Sequence, residues 1–316
     1  MGEKFKLVLI ALILGYQTAS AQLVVENFGS GANAFTMEFV TIGNPGNAAD
    51  TTGSPNPAGS VAYTYNLAKY EVSRDQITKA NSAGSLGITL AEMGSYGGNG
   101  LLKPATGISY YEAAKYVNWL NTSTGGTAAY KFDGSGNFQL WSAGDAGYNA
   151  NNMFRNSLAK YVIASSNEWY KGAYGNLNGT WNDYPTGSNF APTAVVSGTT
   201  ANTAVYGQSV STGPADITNA GGLSAYGTMG QGGNVWELME TAYDGTNNTA
   251  GESRELRGGS WNEFSVYLDA SSRVFQSTSD GSFATVGFRV ASVPEPSALS
   301  LLAVGLGGLA LMRRRK

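Results

Sequence analysis

Four glutamates sit beside the most distinctive stretches of the chain. Glu237 and Glu240 lie in and just after Gly232-Gly233-Asn234-Val235-Trp236-Glu237-Leu238, and Glu255 and Glu263 flank Leu256-Arg257-Gly258-Gly259-Ser260-Trp261. Two positioned carboxylates suffice for glycoside hydrolysis, and oxygen donors of this kind also hold hard cations. Most other catalytic chemistry is missing. With no histidine a Ser-His-Asp triad is excluded, and with no cysteine either there is no thiolate or imidazole for a redox metal. Neither G-x-S-x-G nor G-x-x-x-x-G-K-[ST] occurs. The spacing singles out no glycosidase pair, because 22 acidic residues supply many accidental ones.

Three segments are built to start helices. In the S-x-x-E/Q pattern the serine hydroxyl accepts from the first free amides while the acid or amide reaches back. Ser73 with Gln76 predicts a helix through about Ala80, Ser109 with Glu112 one through Leu120, and Ser165 with Glu168 one ending near Gly172. In the second, Tyr110, Ala113, Ala114, Val117 and Leu120 follow helical spacing and make one apolar stripe. Long Gly/Asn/Ser/Thr-rich connections run from Asn44 to Ser60, Ser82 to Asn99, Thr122 to Asn151 and Gly175 to Asn219, with short apolar runs as candidate strands. No fixed-period repeat is evident. Few helices, short strands and long loops predict an α+β domain shaped largely by packed irregular segments.

Both ends of the chain are addresses. Lys4 and Lys6 precede an apolar run from Leu7 to Leu14, and Ala19-Ser20-Ala21 supplies a cleavage pattern, so residues 1–21 read as a secretory signal peptide. Residues 22–36 are then expected as a lead-in, 37–292 as the domain and 293–316 as a sorting and anchoring segment. In that last segment Val293-Pro294-Glu295-Pro296 leads into an apolar stretch from Ala298 to Met312, closed by Arg313, Arg314, Arg315 and Lys316. This closely resembles the PEP-CTERM sorting signal of Gram-negative bacteria; a plain C-terminal membrane anchor, a transmembrane helix with a basic stop, is the alternative. The resemblance implies recognition by an exosortase, cleavage near Pro-Glu-Pro, transient anchoring in the inner membrane, and release to the cell surface or an exopolysaccharide matrix.

Of 19 basic residues, Lys4, Lys6 and the four at the tail lie in the end segments, as do Glu3 and Glu295 of the 22 acidic ones; the body keeps 13 against 20, a charge of −7. Such a body has no electrostatic case for nucleic acid or anionic lipid surfaces. Without cysteine, stability must come from burial alone, and about 270 residues are enough for one large core. Charged residues at 13% and 43 glycines point to a loop-rich exported domain.

From about Met37 to Ser292 the body resembles the formylglycine-generating enzyme, or sulfatase-modifying factor, family. The resemblance rests on Tyr65 to Ser73, Ile108 to Ala113 with Trp119, Ser165 to Trp169, Tyr184-Pro185-Thr186-Gly187, and finally GNVWE, RGGSW and Gly287-Phe288-Arg289-Val290, all in the family's order. It implies a large, loop-rich variant of the C-type lectin-like fold. In that fold Gly232, Gly233, Gly258 and Gly259 would permit positive φ or close backbone approach, and Trp236, Trp261 and Phe288 would supply buried aromatic area. Asn234 and Ser260 belong to the same motifs. Arg257, Arg273 and Arg289 would satisfy loop carbonyls or carboxylates such as Glu237 and Glu255.

The resemblance also implies chemistry that this chain lacks. Oxidising members bind copper(I) through two cysteines beyond the RGGS motif, and those positions fall on Glu263 and Leu268. Relatives that form carbon–sulfur bonds use iron held by histidines, which are absent here. Family enzymes bind calcium around GNVWE, which carries over to the carbonyls of Gly233 and Val235 and the side chain of Glu237; a further ligand position falls on Gly230, so the set is incomplete. No other cofactor is implied. The expectation is a non-catalytic binding protein of the cell surface or exopolysaccharide, with Trp169, Tyr170, Tyr174 and Trp181 as the candidate ligand surface, since aromatic faces stack on sugar rings. The alternatives are a family-like oxidative enzyme working without the usual cysteines and a purely structural matrix component.

Overall fold

The computed structural model describes residues 22–294. Residues 1–21, expected as a signal peptide, and the apolar and basic part of the tail lie outside the described residues; among the described ones no helix is long and apolar enough to cross a membrane. In chain order the elements are β1 (Leu23–Phe28), β2 (Phe35–Ile42), β3 (Tyr65–Ala68), α1 (Arg74–Gly84), α2 (Tyr110–Ser123), β4 (Lys131–Phe132), β5 (Phe138–Gln139), β6 (Tyr161–Ile163), α3 (Ser166–Tyr174), β7 (Thr193–Ala194), β8 (Thr203–Ala204), β9 (Trp236–Ala242), β10 (Arg254–Arg257), β11 (Val274–Gln276), β12 (Val286–Phe288) and β13 (Val290–Ser292).

Each helix begins where its serine lies. Ser73, Ser109 and Ser165 are N-caps with both halves of the capping box formed, to Gln76, Glu112 and Glu168. The helices run a few residues past their predicted ends. The α2 stripe is buried as expected, together with Tyr116 and Trp119, because Tyr116 packs edge-on to Phe288 and Trp119 stacks on Phe35. The buried Asn121 side chain accepts from the Lys160 and Tyr161 amides and donates to the Val117 and Tyr161 carbonyls, which locks α2 to β6 with its polar atoms satisfied.

A five-stranded sheet has the order β1-β2-β3-β13-β6, and a four-stranded sheet the order β11-β10-β9-β12. Residues 22–36 are therefore no lead-in: β1 pairs with β2 from Leu23 opposite Val40 to Phe28 opposite Phe35 and forms the edge of the larger sheet. In the smaller sheet β9 runs antiparallel to β10 and parallel to β12. Only Arg289 separates β12 from β13, so this residue passes the chain from one sheet to the other. The long connections pack over the sheets with little regular structure, as a Gly/Asn/Ser-rich sequence dictates.

Candidate functional site

The GNVWE, RGGSW and GFRV segments converge on a buried charge cluster. Arg289 donates from Nε to Glu237 Oε2 at 2.9 Å and from Nη2 to Oε1 at 2.7 Å, and Trp169 Nε1 adds a third bond to Oε2 at 2.7 Å. Arg289 also donates to the carbonyls of Ala68 and Met229, at 2.8 and 2.7 Å. Arg289, Glu237 and Trp169 are all fully buried. A bidentate pair whose remaining protons find carbonyls is the arrangement that makes a buried ion pair tolerable.

A second carboxylate lies beside this pair. Glu71, also buried, accepts from the single amide nitrogen Asn234 Nδ2 with both carboxyl oxygens, at 3.0 and 2.8 Å. Burial raises its carboxyl well above the ordinary range, and the charge of Glu237 raises it further. Asn234 adopts a left-handed backbone, with φ of 59°, which lets its Oδ1 accept from the Ala215 amide and its carbonyl from the Trp261 amide. Gly233 is required at φ 80°, because a Cβ there would lie 2.2 Å from the Val205 carbonyl oxygen.

These contacts correct the calcium expectation. The Glu237 carboxylate is spent on Arg289 and Trp169, and a cation placed there would face the guanidinium. The ligand position at Gly230 has no side chain, and Glu71 fills the space beside it: a Cβ on Gly230 would stand 3.1 Å from Glu71 Cδ. Among the described residues no three acidic side chains gather to hold a metal ion. Gly233, Val235 and Glu237 thus do not form a fitting calcium set.

Glu168, Glu240 and Glu255 also have guanidinium partners. Arg257 pairs with Glu255 at 2.5 Å, and its other nitrogens donate to the carbonyls of Ser54, Ala270 and Ser272. Arg273 lies 3.7 Å from Glu255 and donates to the Tyr243 carbonyl. Arg155 clamps Glu168 with two bonds of 2.9 Å and reaches Glu240 at 2.9 Å, where Tyr130 and Asn152 also donate. Burial alone would raise Glu168, yet Arg155 overrides it and holds the carboxyl at about 2. Glu237, Glu240 and Glu255 are therefore structural ions out of reach of water and sugar, and the glycosidase pairings fail. Arg155 carries no motif in the sequence; its only signal is that buried glutamates require cations.

At the positions of the family's copper thiolates, Leu268 is 0% exposed and packs against Gly259, whose absent Cβ would lie 3.0 Å from Leu268 Cδ1. Glu263 is partly exposed; its carbonyl accepts from Gly207 at 2.8 Å. Around it three loops are tied together by Gln208 N to the Trp261 carbonyl and Ala270 N to the Asp183 carbonyl, with Tyr206 donating its hydroxyl to Pro192. These loops carry Phe190 and Phe264, 80% and 74% exposed, together with Val266. Neither 172–253 nor 258–272 contains a lysine or arginine, so these loops themselves contribute carboxylates and aromatic rings but no cation.

The aromatic segment assigned to ligand binding lies elsewhere. Trp169, Tyr170 and Tyr174 are fully buried core residues, and Trp181 is half-buried with its ring 5.5 Å from Tyr170. Helix α3 is packed against Gly53 and Gly59 of the first long loop among others, so none of its aromatic side chains is left open to a ligand.

A family model for the sulfatase-modifying factor enzyme 1-like domain matches residues 33–293, and one for the PEP-CTERM protein-sorting motif matches residues 292–316. The sorting motif implies an exported protein, processed by an exosortase and sorted to the cell envelope. No curated protein matches the chain. Among solved structures, Treponema denticola variable protein 1 shares 18% identity over 86% of this chain and 99% of its own, with a TM-score of 0.59. CarF shares 17% over 81% of this chain and 98% of its own at 0.57, and PvdO from Pseudomonas aeruginosa shares 16% over 85% and 98% at 0.53. At such identities the likeness establishes the shared architecture, an α+β C-type lectin-like fold. The chain belongs to the family of sulfatase-modifying factor enzyme 1-like domains.

Proposed function

We propose that the protein is an exported, non-catalytic binding domain of its family, acting at the cell surface or in the exopolysaccharide matrix. One observation carries this reading. The two positions that hold copper in oxidising relatives are Glu263 and a packed Leu268, in a chain with no other thiol or imidazole to take their place. Glu168, Glu237, Glu240 and Glu255 are bound to arginines, and Glu71 is sealed in the core against Asn234, which leaves none of these acids open to a substrate. What the same loops offer instead is exposed aromatic area without positive charge, suited to polysaccharide more than to anionic polymers.

The test is retention. Exported protein mixed with exopolysaccharide from the host matrix should pellet with it, and Phe264→Ala should release it with no change in unfolding midpoint. Protein that stays soluble with every matrix fraction would contradict a binding role.

A further inference from the structure

A second feature lies away from the RGGSW loops, at the free edge of the smaller sheet. Strand β11 pairs only with β10 in that sheet, with Phe275 opposite Glu255, and Phe275 is 61% exposed. Its ring stands 5.1 Å from that of Tyr243, at the end of β9. Beside the two rings opens a cleft of about 310 Å³ lined by Ala242, Tyr243, Asp244, Glu252, Ser253 and Phe275. That volume is at the lower end of small-ligand sites, roughly 300–1,000 Å³.

The polar groups in the cleft are acceptors and hydroxyls. Asp244 is exposed and spends Oδ1 on the amide and hydroxyl of Thr246. Glu252 is partly exposed and touches Arg254 at 3.3 Å. The nearby cations are committed: Arg254 is buried 4.1 Å over the Phe154 ring and donates to the Glu240 carbonyl and to Asn247 Oδ1, while Arg273 lies 4.2 Å over the Tyr243 ring. An anion would therefore meet two carboxylates and no free positive charge.

The loop that forms the cleft is ordered before any ligand arrives. Tyr243 N donates to the Ser253 carbonyl at 2.9 Å, closing the loop at its base. Asn247 accepts from the Ala242 amide and from Arg254, and donates to Asn152 at 3.0 Å. A site fixed in this way loses little entropy on binding.

We infer that this cleft binds a neutral saccharide segment, with the apolar face of one sugar ring on the exposed Phe275, the edge of Tyr243 beside it, and its hydroxyls donating to Asp244 and Glu252. Aromatic faces match the C–H faces of pyranose rings, and carboxylates are strong acceptors for sugar hydroxyls. The inference rests on the proposed binding role and adds to it a location and a ligand class. No bond is made or broken.

The experiment titrates exported protein with cellohexaose, maltohexaose and an oligoguluronate hexamer, read by saturation-transfer NMR and calorimetry. At least one neutral hexamer should bind at about 1 mM or tighter, and the uronate should not. Phe275→Ala should weaken the neutral hexamer at least tenfold, and Asp244→Asn several-fold, with unchanged unfolding midpoints; Leu177→Ala, an exposed apolar truncation elsewhere, should have no effect. Failure of both neutral hexamers at about 10 mM, equal binding of the uronate, or an unaffected Phe275→Ala variant would overturn the assignment. So would a change from dimer to monomer in Phe275→Ala sedimentation, because the edge would then pair with a second copy. Protein that pellets with matrix polymer while ignoring both neutral hexamers sinks the cleft and leaves the wider binding role standing.

Discussion

The buried cluster of Glu71, Glu237 and Arg289 makes an unequal demand on its two acids. Glu237 holds both ends of the Arg289 fork and the Trp169 indole, whereas Glu71 receives neutral amide donors from Asn234. Two ionised carboxylates against one guanidinium would leave a net negative charge in the core, so burial and the neighbouring Glu237 favour the protonated form of Glu71. Glu71→Gln then replaces one neutral group by another of the same shape and should cost no more than about 1 kcal/mol, the scale of one hydrogen bond. Glu237→Gln strands a fully buried guanidinium and should cost about 3–5 kcal/mol. Urea unfolding at pH 7, followed by tryptophan fluorescence, gives both values from the midpoints. The sign with pH is also determined. Because the folded-state value of Glu71 lies above the ordinary 4.5, the native chain holds a proton that the unfolded chain releases, and stability falls as pH rises past 4.5. Glu71→Gln should remove that decline. Equal losses from the two substitutions would refute the assignment of the proton and mean that Arg289 is shared between two ionised acids.

Other outcomes follow from the same contacts. Trp261 is fully buried and donates from its indole to the Val210 carbonyl, so Trp261→Ala should cost about 3–5 kcal/mol in calorimetric stability. Glu263→Ala, at a partly exposed site with no ion pair among the described residues, should leave stability within about 0.5 kcal/mol, read in the same scans. Lys171 is buried with its ammonium on the Asn44 carbonyl, and burial lowers it to about 8. Between pH 8 and 10 the unfolded chain keeps a proton that the folded one lacks, so stability should rise there by roughly 1–2 kcal/mol after allowance for screening. Lys171→Met should flatten the rise; above pH 10 the raised tyrosines Tyr63 and Tyr65 reverse it in both proteins.

What the sequence discloses here depends on the range of the interaction. The capping boxes at Ser73, Ser109 and Ser165 are complete within four residues, so all three helix starts were legible, and the α2 stripe is a property of one element. The family motifs were legible for the same reason. Tyr170 and Tyr174, by contrast, read equally well as a sugar platform or a core. Tyr170 is covered by Gly53 and Gly59, more than 100 residues away, where a Cβ would strike its ring, and Tyr174 donates to the Leu268 carbonyl, 94 residues on. The fate of Glu237 as pair partner or cation ligand turns on Arg289, 52 residues on. Arg155 sits in an aperiodic loop, and its partner Glu240 is 85 residues distant. Leu23–Phe28 hold their place through backbone pairing with β2, which leaves no motif in the sequence.

The central claim is that this lectin-like domain has kept its family's packing without its oxidising site. The direct measurement incubates exported protein and copper(I) with a sulfatase-type cysteine peptide under dioxygen, and follows bound copper, dioxygen uptake and peptide aldehyde. A domain with Glu263 and Leu268 in place of the thiolates should retain no stoichiometric copper and form no aldehyde above a protein-free control. One copper per chain with repeated aldehyde formation would contradict the claim.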